Sequence, residues 1–170
     1  SAQAMRSVNG MDASHICNIA WAFARAGPRD EKLFEALGET AVQRAQELEP
    51  LHLANLSWSF ANISRADELN DPRRPGLRHS RLFGALGRAA ARLASDLLPQ
   101  HHSSLLWAFG ACQVTEGLGE VIDAMLPGMR RSVYDCRQVA GMLWALAVLS
   151  EHHQALIDLL LLAAAGEGTA

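Results

Sequence analysis

Residues that build sheets are scarce in this chain. Aromatic side chains make up only 6% of the 170 positions, and the few β-branched residues nowhere alternate with polar ones. That scarcity excludes a sheet-built domain. Strong positive charge is also missing. The formal net charge is −3 and Lys32 is the lone lysine, which excludes a uniformly basic nucleic-acid binder. Cysteine is limited to Cys17, Cys112 and Cys136, with no CxxC pair. Neither a disulfide framework nor a zinc site is expected, and a reducing compartment is the default. The longest apolar run, 155–165, is interrupted by Asp158 and too short to span a bilayer, so no membrane partner is expected. No signal peptide is visible, and the start at Ser1 reads as the interior of a longer protein or a processed end.

Catalytic signatures are missing as well. No HExxH, GxSxG, P-loop or Rossmann fingerprint occurs, and the pairs His101-His102 and His152-His153 lack the i,i+4 spacing of metal ligands. Cys17 and Cys112 fall in apolar helices, where a thiol is packing material rather than a nucleophile. Glu31, Glu35 and Glu39 read as a solvated helix face. The expectation is a binding module and not an enzyme, with no cofactor, no metal and no small-molecule substrate.

What the chain has is alanine, leucine and a repeat. Residues of the AVILMFWYC set make up 49% of it, enough for a substantial core. Tryptophans stand at 21, 58, 107 and 144, at spacings of 37, 49 and 37. Around each lies a similar window: HICNIAWAFARAG from His15, HLANLSWSFANIS from His52, HSSLLWAFGACQ from His102 and QVAGMLWALAVLS from Gln138. This is the A helix of each unit. A second window follows at Leu33 (LFEAL), Leu82 (LFGAL), Val121 (VIDAM) and Leu156 (LIDLL), and forms the B helix. Leu33, Leu37, Ala41, Ala45 and Leu48 make one apolar stripe at helical spacing, and Leu82, Leu86, Leu93 and Leu97 make another. Glu49-Pro50 and Leu98-Pro99 end these stretches. Pro127-Gly128 predicts a break or kink in the third B helix.

The spacing therefore predicts an all-α chain, with eight helices in antiparallel pairs and no strands. It reads as an α-solenoid of about four helix-pair repeats, armadillo-like, in one array over 1–170. The repeats span about 11–50, 51–99, 100–136 and 137–170, with a loop insertion over 67–79. Trp21, Phe23, Trp58, Phe60, Trp107, Phe109, Trp144 and Leu146 are the expected repeat core, with all four tryptophans substantially buried. Leu156–Leu162 is apolar enough that a further repeat is expected to cover it.

Three polar columns accompany the tryptophans. Six residues before stand His15, His52, His101 and Gln138; three before, Asn18, Asn55, Ser104 and Gly141; four after, Arg25, Asn62, Ala111 and Val148. These positions share one helix face. Repeat proteins that read single strands present such columns, although asparagine also bridges helices and histidine near a helix start is ordinary polar surface. Charge is unevenly placed: residues 73–137 carry nine basic and five acidic side chains. Arg78, Arg81, Arg88 and Arg92 form a stripe along the second B helix, preceded by Arg73 and Arg74, and Arg130, Arg131 and Arg137 extend the basic region. Such a stripe suits phosphate contacts, a solvated face, or an acidic protein partner.

The stretches LANLSWSFA (53–61) and PQHHSSLLWAFG (99–110) resemble the octotricopeptide repeat, a unit of about 38 residues with a helix similar to PQxLANxLWALAKLG. The likeness covers most of 11–160, with Gly141 where the motif has asparagine. The chain is also similar to helical repeats in subunits of the kinetoplastid RNA-editing substrate-binding complex and in FAST-kinase-type proteins. The resemblance implies a right-handed superhelix that binds single-stranded RNA in a mitochondrion or chloroplast, as part of RNA maturation, stability, editing or translation. The alternative is a protein-interaction scaffold, a subunit of an organellar complex without RNA contact, favoured by the acidic ends and apolar last helix.

Overall fold

The computed structural model describes residues 10–26, 30–70 and 79–166, except for the side chains of 66–70. Among these residues the chain is all-helical, with eight α-helices and no strand. They are α1 (Ala13–Ala26), α2 (Glu31–Gln43), α3 (Pro50–Asn70), α4 (Ser80–Arg92), α5 (Pro99–Ala111), α6 (Leu118–Met129), α7 (Cys136–Val148) and α8 (Gln154–Ala165). The A helices are α1, α3, α5 and α7. Each packs on the next: α1 on α3, α3 on α5, α5 on α7. The B helices α2, α4 and α6 also contact in series, and each A helix touches the B helix that follows it.

The prolines mark helix starts more sharply than helix ends. Pro50 and Pro99 are the first residues of α3 and α5, where a missing N–H costs nothing and the fixed φ suits the first turn. The helices before them have already ended. Gln43 closes α2, a short 3-10 turn follows over Ala45–Glu47, and Arg92 closes α4. The apolar stripes thus outrun their helices: Leu48, Leu93 and Leu97 are buried from the connecting segments.

Two local expectations are corrected. The third B helix is not broken at Pro127 but runs on to Met129. Proline sits in its last turn, where only one backbone bond is lost, and the Arg130 N–H still reaches the Leu126 carbonyl at 3.0 Å. The stretch expected as a loop from 67 is helical at first, because α3 continues to Asn70. The rest of it, 71–78, lies outside the described residues, and so do Arg73, Arg74 and Arg78.

The core is organised by phenylalanine. Phe34 and Phe83, on the B helices, and Phe60 and Phe109, on the following A helices, are completely buried. Phe34 meets Phe60 edge-to-face at 5.2 Å between centroids, and Phe83 meets Phe109 the same way at 5.1 Å. This edge-to-face geometry suits the ring quadrupole. Each pair ties a B helix to the next A helix. Ile122 and Leu146 occupy the equivalent buried positions further along. Close approach of helices depends on glycine: a Cβ at Gly110 would lie 2.8 Å from the Cα of Ala145, and one at Gly87 would lie 2.8 Å from Val121 Cγ2.

The tryptophans are not the core that their recurrence suggests. Trp21 and Trp144 are 40% and 38% exposed, and Trp58 and Trp107 are only partly buried. Helix geometry explains the correction. Residues i and i+2 lie some 200° apart around the axis, so Trp and the residue two later cannot fill one seam. Phe60, Phe109 and Leu146 take the buried side, and Phe23 is partly buried. Trp58 and Trp107 are left at the edge of the core, and Trp21 and Trp144 are exposed.

Candidate nucleic-acid interface

The column six residues before each tryptophan is a set of helix caps. His15, His52, His101 and Gln138 are each the third residue of their helix. The Glu49 N–H donates to His52 Nδ1 at 3.4 Å, the Leu98 N–H to His101 Nδ1 at 3.1 Å, and the Asp135 N–H to Gln138 Oε1 at 3.0 Å. Asp135 completes a capping box by accepting the Gln138 N–H at 2.8 Å. In α1 the same position works through a carboxylate. Asp12 accepts the His15 N–H at 2.9 Å and lies 2.8 Å from His15 Nδ1, contacts that hold its carboxyl below the usual range. His52 also faces Ser14 Oγ through Nε2 at 3.3 Å, which links α3 to α1. His101 is buried, and burial pushes its pKa down. In His52, His101 and Gln138 an acceptor atom that could read a base satisfies a helix N-terminus instead.

The column four residues after each tryptophan is mixed. Asn62 donates from Nδ2 to the Ala24 carbonyl at 2.7 Å, satisfying an acceptor in the last turn of α1 and bridging two A helices. Arg25 is exposed, with its guanidinium carbon 5.2 Å from the Trp21 ring centroid. Ala111 is buried and Val148 exposed.

The remaining column differs. Asn18 is exposed, Asn55 and Ser104 are half-buried, and their side chains make no hydrogen bond to described residues. They stand one turn before indoles that are themselves partly open. Trp107 and Trp144 lie 6.5 Å apart, tilted by 33°. The Arg65 guanidinium sits over both, 5.9 Å from Trp107 and 5.5 Å from Trp144. Gly110 makes room for this: a Cβ there would come within 3.2 Å of the Trp144 ring. Sequence reading missed Arg65, seven residues after Trp58, because no other unit has arginine at that position.

The arginine stripe divides. Arg92 donates to the Leu48 carbonyl at 2.8 Å and the Ala45 carbonyl at 3.4 Å, sealing the connection between α2 and α3. Arg81 and Arg88 are exposed and pair with no described residue. They line grooves beside α4 whose other walls carry Glu35 and Glu39 from α2, and Glu116 and Glu120 beside and on α6. Those carboxylates oppose a phosphate chain. None of the column residues lines either groove, so the stripe and the columns are not brought together.

Cys17 and Cys112 are buried as expected, and burial pushes the Cys17 thiol up to about 12, far from a reactive thiolate. Among the described residues no group of three or more His, Cys, Asp or Glu could hold a metal ion, and no helix is long and apolar enough to cross a membrane. Compared with known proteins, the chain matches no family model, no curated protein and no solved structure.

Proposed function

We propose that the chain is an α-solenoid of four helix-pair repeats, right-handed in its superhelix, whose A-helix face binds single-stranded RNA. The observation that carries this reading is the row of half-open indoles with arginine laid over them. Trp21 carries Arg25, Trp107 and Trp144 carry Arg65, and polar side chains free of internal bonds stand at Asn18, Asn55 and Ser104. Bases stack on aromatic faces whatever their identity, and guanidinium groups pair with phosphate. Duplex RNA keeps its bases stacked inward and cannot use such a face. The organellar setting, in a mitochondrion or chloroplast, rests on the resemblance to octotricopeptide repeats alone.

The test is binding of oligouridylate and oligoadenylate against a duplex of equal length, followed by tryptophan fluorescence over a series of salt concentrations. Single strands should quench the emission and bind more tightly than duplex, and Trp21→Ala should weaken them. Equal binding of duplex and single strand, or none at low salt, overturns the reading. A protein-interaction scaffold then takes its place. Val148 on α7 and Leu161 and Leu162 on α8 are exposed, and the arginines of α4 stand between carboxylates, features that suit a protein partner.

A further inference from the structure

The α5–α7 end of the A-helix face has a geometry of its own. The 6.5 Å between the Trp107 and Trp144 centroids is about twice the ~3.4 Å rise between stacked bases. Two consecutive bases splayed apart match that separation, one on each indole. The Arg65 guanidinium lies nearly equidistant from the two rings, placed to meet the phosphate that would join two such nucleotides. Arg65 comes from α3, while the rings come from α5 and α7, so three helices build the arrangement. Arg65 is exposed and makes no ion pair or hydrogen bond with described residues, so its donors are open to a phosphate. Gly141 on α7 brings no side chain toward Trp107: a Cβ there would stand 4.0 Å from Trp107 Cδ1.

From this juxtaposition we infer that Trp107, Trp144 and Arg65 form a dinucleotide clamp: each indole stacks one of two consecutive, mutually unstacked bases, and Arg65 pairs the phosphate between them. The inference rests on the RNA reading above and adds where a strand is gripped and by which groups. At Trp144 stacking and charge hold the base without reading it, because Gly141 stands where the other units have Asn or Ser.

The clamp predicts different signatures for its parts. Trp107→Ala and Trp144→Ala should each weaken oligouridylate binding by about 5- to 150-fold with the salt dependence unchanged, as expected for loss of one stacked base. Trp107→Phe should restore most of the loss. Arg65→Ala should weaken binding and lower the slope of log K against log salt by about 0.7, the share of one single-strand phosphate contact. Arg65→Lys should keep the slope. Far-UV circular dichroism and melting confirm that each variant is folded, and the Phe and Lys variants serve where an Ala variant does not fold. If the unsubstituted chain binds oligouridylate but the Trp107, Trp144 and Arg65 variants bind as it does, the clamp is overturned and the wider reading stands. If the unsubstituted chain binds no RNA, both fall.

Discussion

Gly110 gives the sharpest test of the packing. It lies in the last turn of α5, where alanine would ordinarily be the better helix residue. Here a Cβ would stand 2.8 Å from both Cα and Cβ of Ala145 and 3.2 Å from the Trp144 ring. Carbon atoms in good contact sit about 3.5–4.0 Å apart, so the deficit is on the order of 1 Å. Ala145 Cα is backbone and cannot rotate away, so α5 and α7 must separate. Overpacking of this kind costs about 1–3 kcal/mol. The gain in helix propensity, about 1 kcal/mol in a helix interior and less in a last turn, offsets part of it. Gly110→Ala should therefore destabilise by about 1–2 kcal/mol.

The control is Gly119→Ala, in the first turn of α6, where a Cβ would meet nothing within 4 Å. It should stabilise by up to about 1 kcal/mol, because alanine restricts the unfolded chain more than glycine does. For a domain of this size each kcal/mol moves the melting temperature by about 2–4 °C. Circular dichroism melts should place Gly110→Ala a few degrees below the unsubstituted chain and Gly119→Ala at or above it. Tryptophan emission should shift in the first variant only, because Trp144 is displaced. A Gly110→Ala protein that melts as high as Gly119→Ala would refute the close approach of α5 and α7.

Other expectations follow from the same packing. Phe60→Ala, which removes a fully buried ring set against Phe34, should cost about 3–5 kcal/mol in urea unfolding, whereas Trp21→Ala at a 40% exposed site should cost much less. Gln138→Ala should lose about 1 kcal/mol of stability with its capping box and, on the proposed RNA reading, leave RNA affinity unchanged. His102 is buried with Nδ1 2.9 Å from the Tyr134 hydroxyl, and burial, aided by the neighbouring His101, holds its pKa at about 4 against 6.5 when unfolded. The neutral ring's contribution is therefore whole above pH 6.5 and lost as pH falls toward 4, about 3 kcal/mol in all; chemical denaturation across that range should show the slope, and His102→Gln should flatten it.

Much of the helical plan is legible in the chain. The B windows fall within helices, and so does the greater part of each A window; proline at 50 and 99 marks two of the starts. The side-chain partners were less legible. Reading the B helices from Leu33 and Leu82 passed over Phe34 and Phe83, one residue on, which are the rings that meet Phe60 and Phe109. A stripe of leucines shows which side of a helix is apolar; it does not show which residue finds a ring on another helix. The tryptophans misled for a related reason. Size and recurrence suggested burial, but the two-residue offset from Phe60 and Phe109 already places Trp58 and Trp107 on another side of the helix.

The polar columns separate by a different criterion. A position that recurs once per unit recurs for whatever every unit needs, and every unit needs a helix start. The pattern at Asp135 and Gln138 is a capping box, and Asp12 with His15 is a variant of it, so that column recurs for structural reasons. Recurrence alone cannot distinguish such a column from one that meets a ligand. What distinguishes them is whether the polar atoms are already engaged. His52, His101 and Gln138 accept backbone N–H groups, and Asn62 holds a carbonyl, so their chemistry is directed inward. Asn18, Asn55 and Ser104 make no such bond, and each stands one turn from an indole that the core does not enclose. A polar side chain that costs side-chain entropy to order and yields no internal bond does little for folding. Its recurrence beside three of the four half-open rings is what the proposed RNA contact would explain. On the proposed RNA reading, the column at Asn18, Asn55 and Ser104, and not the histidines, is therefore where base preference should change on mutation.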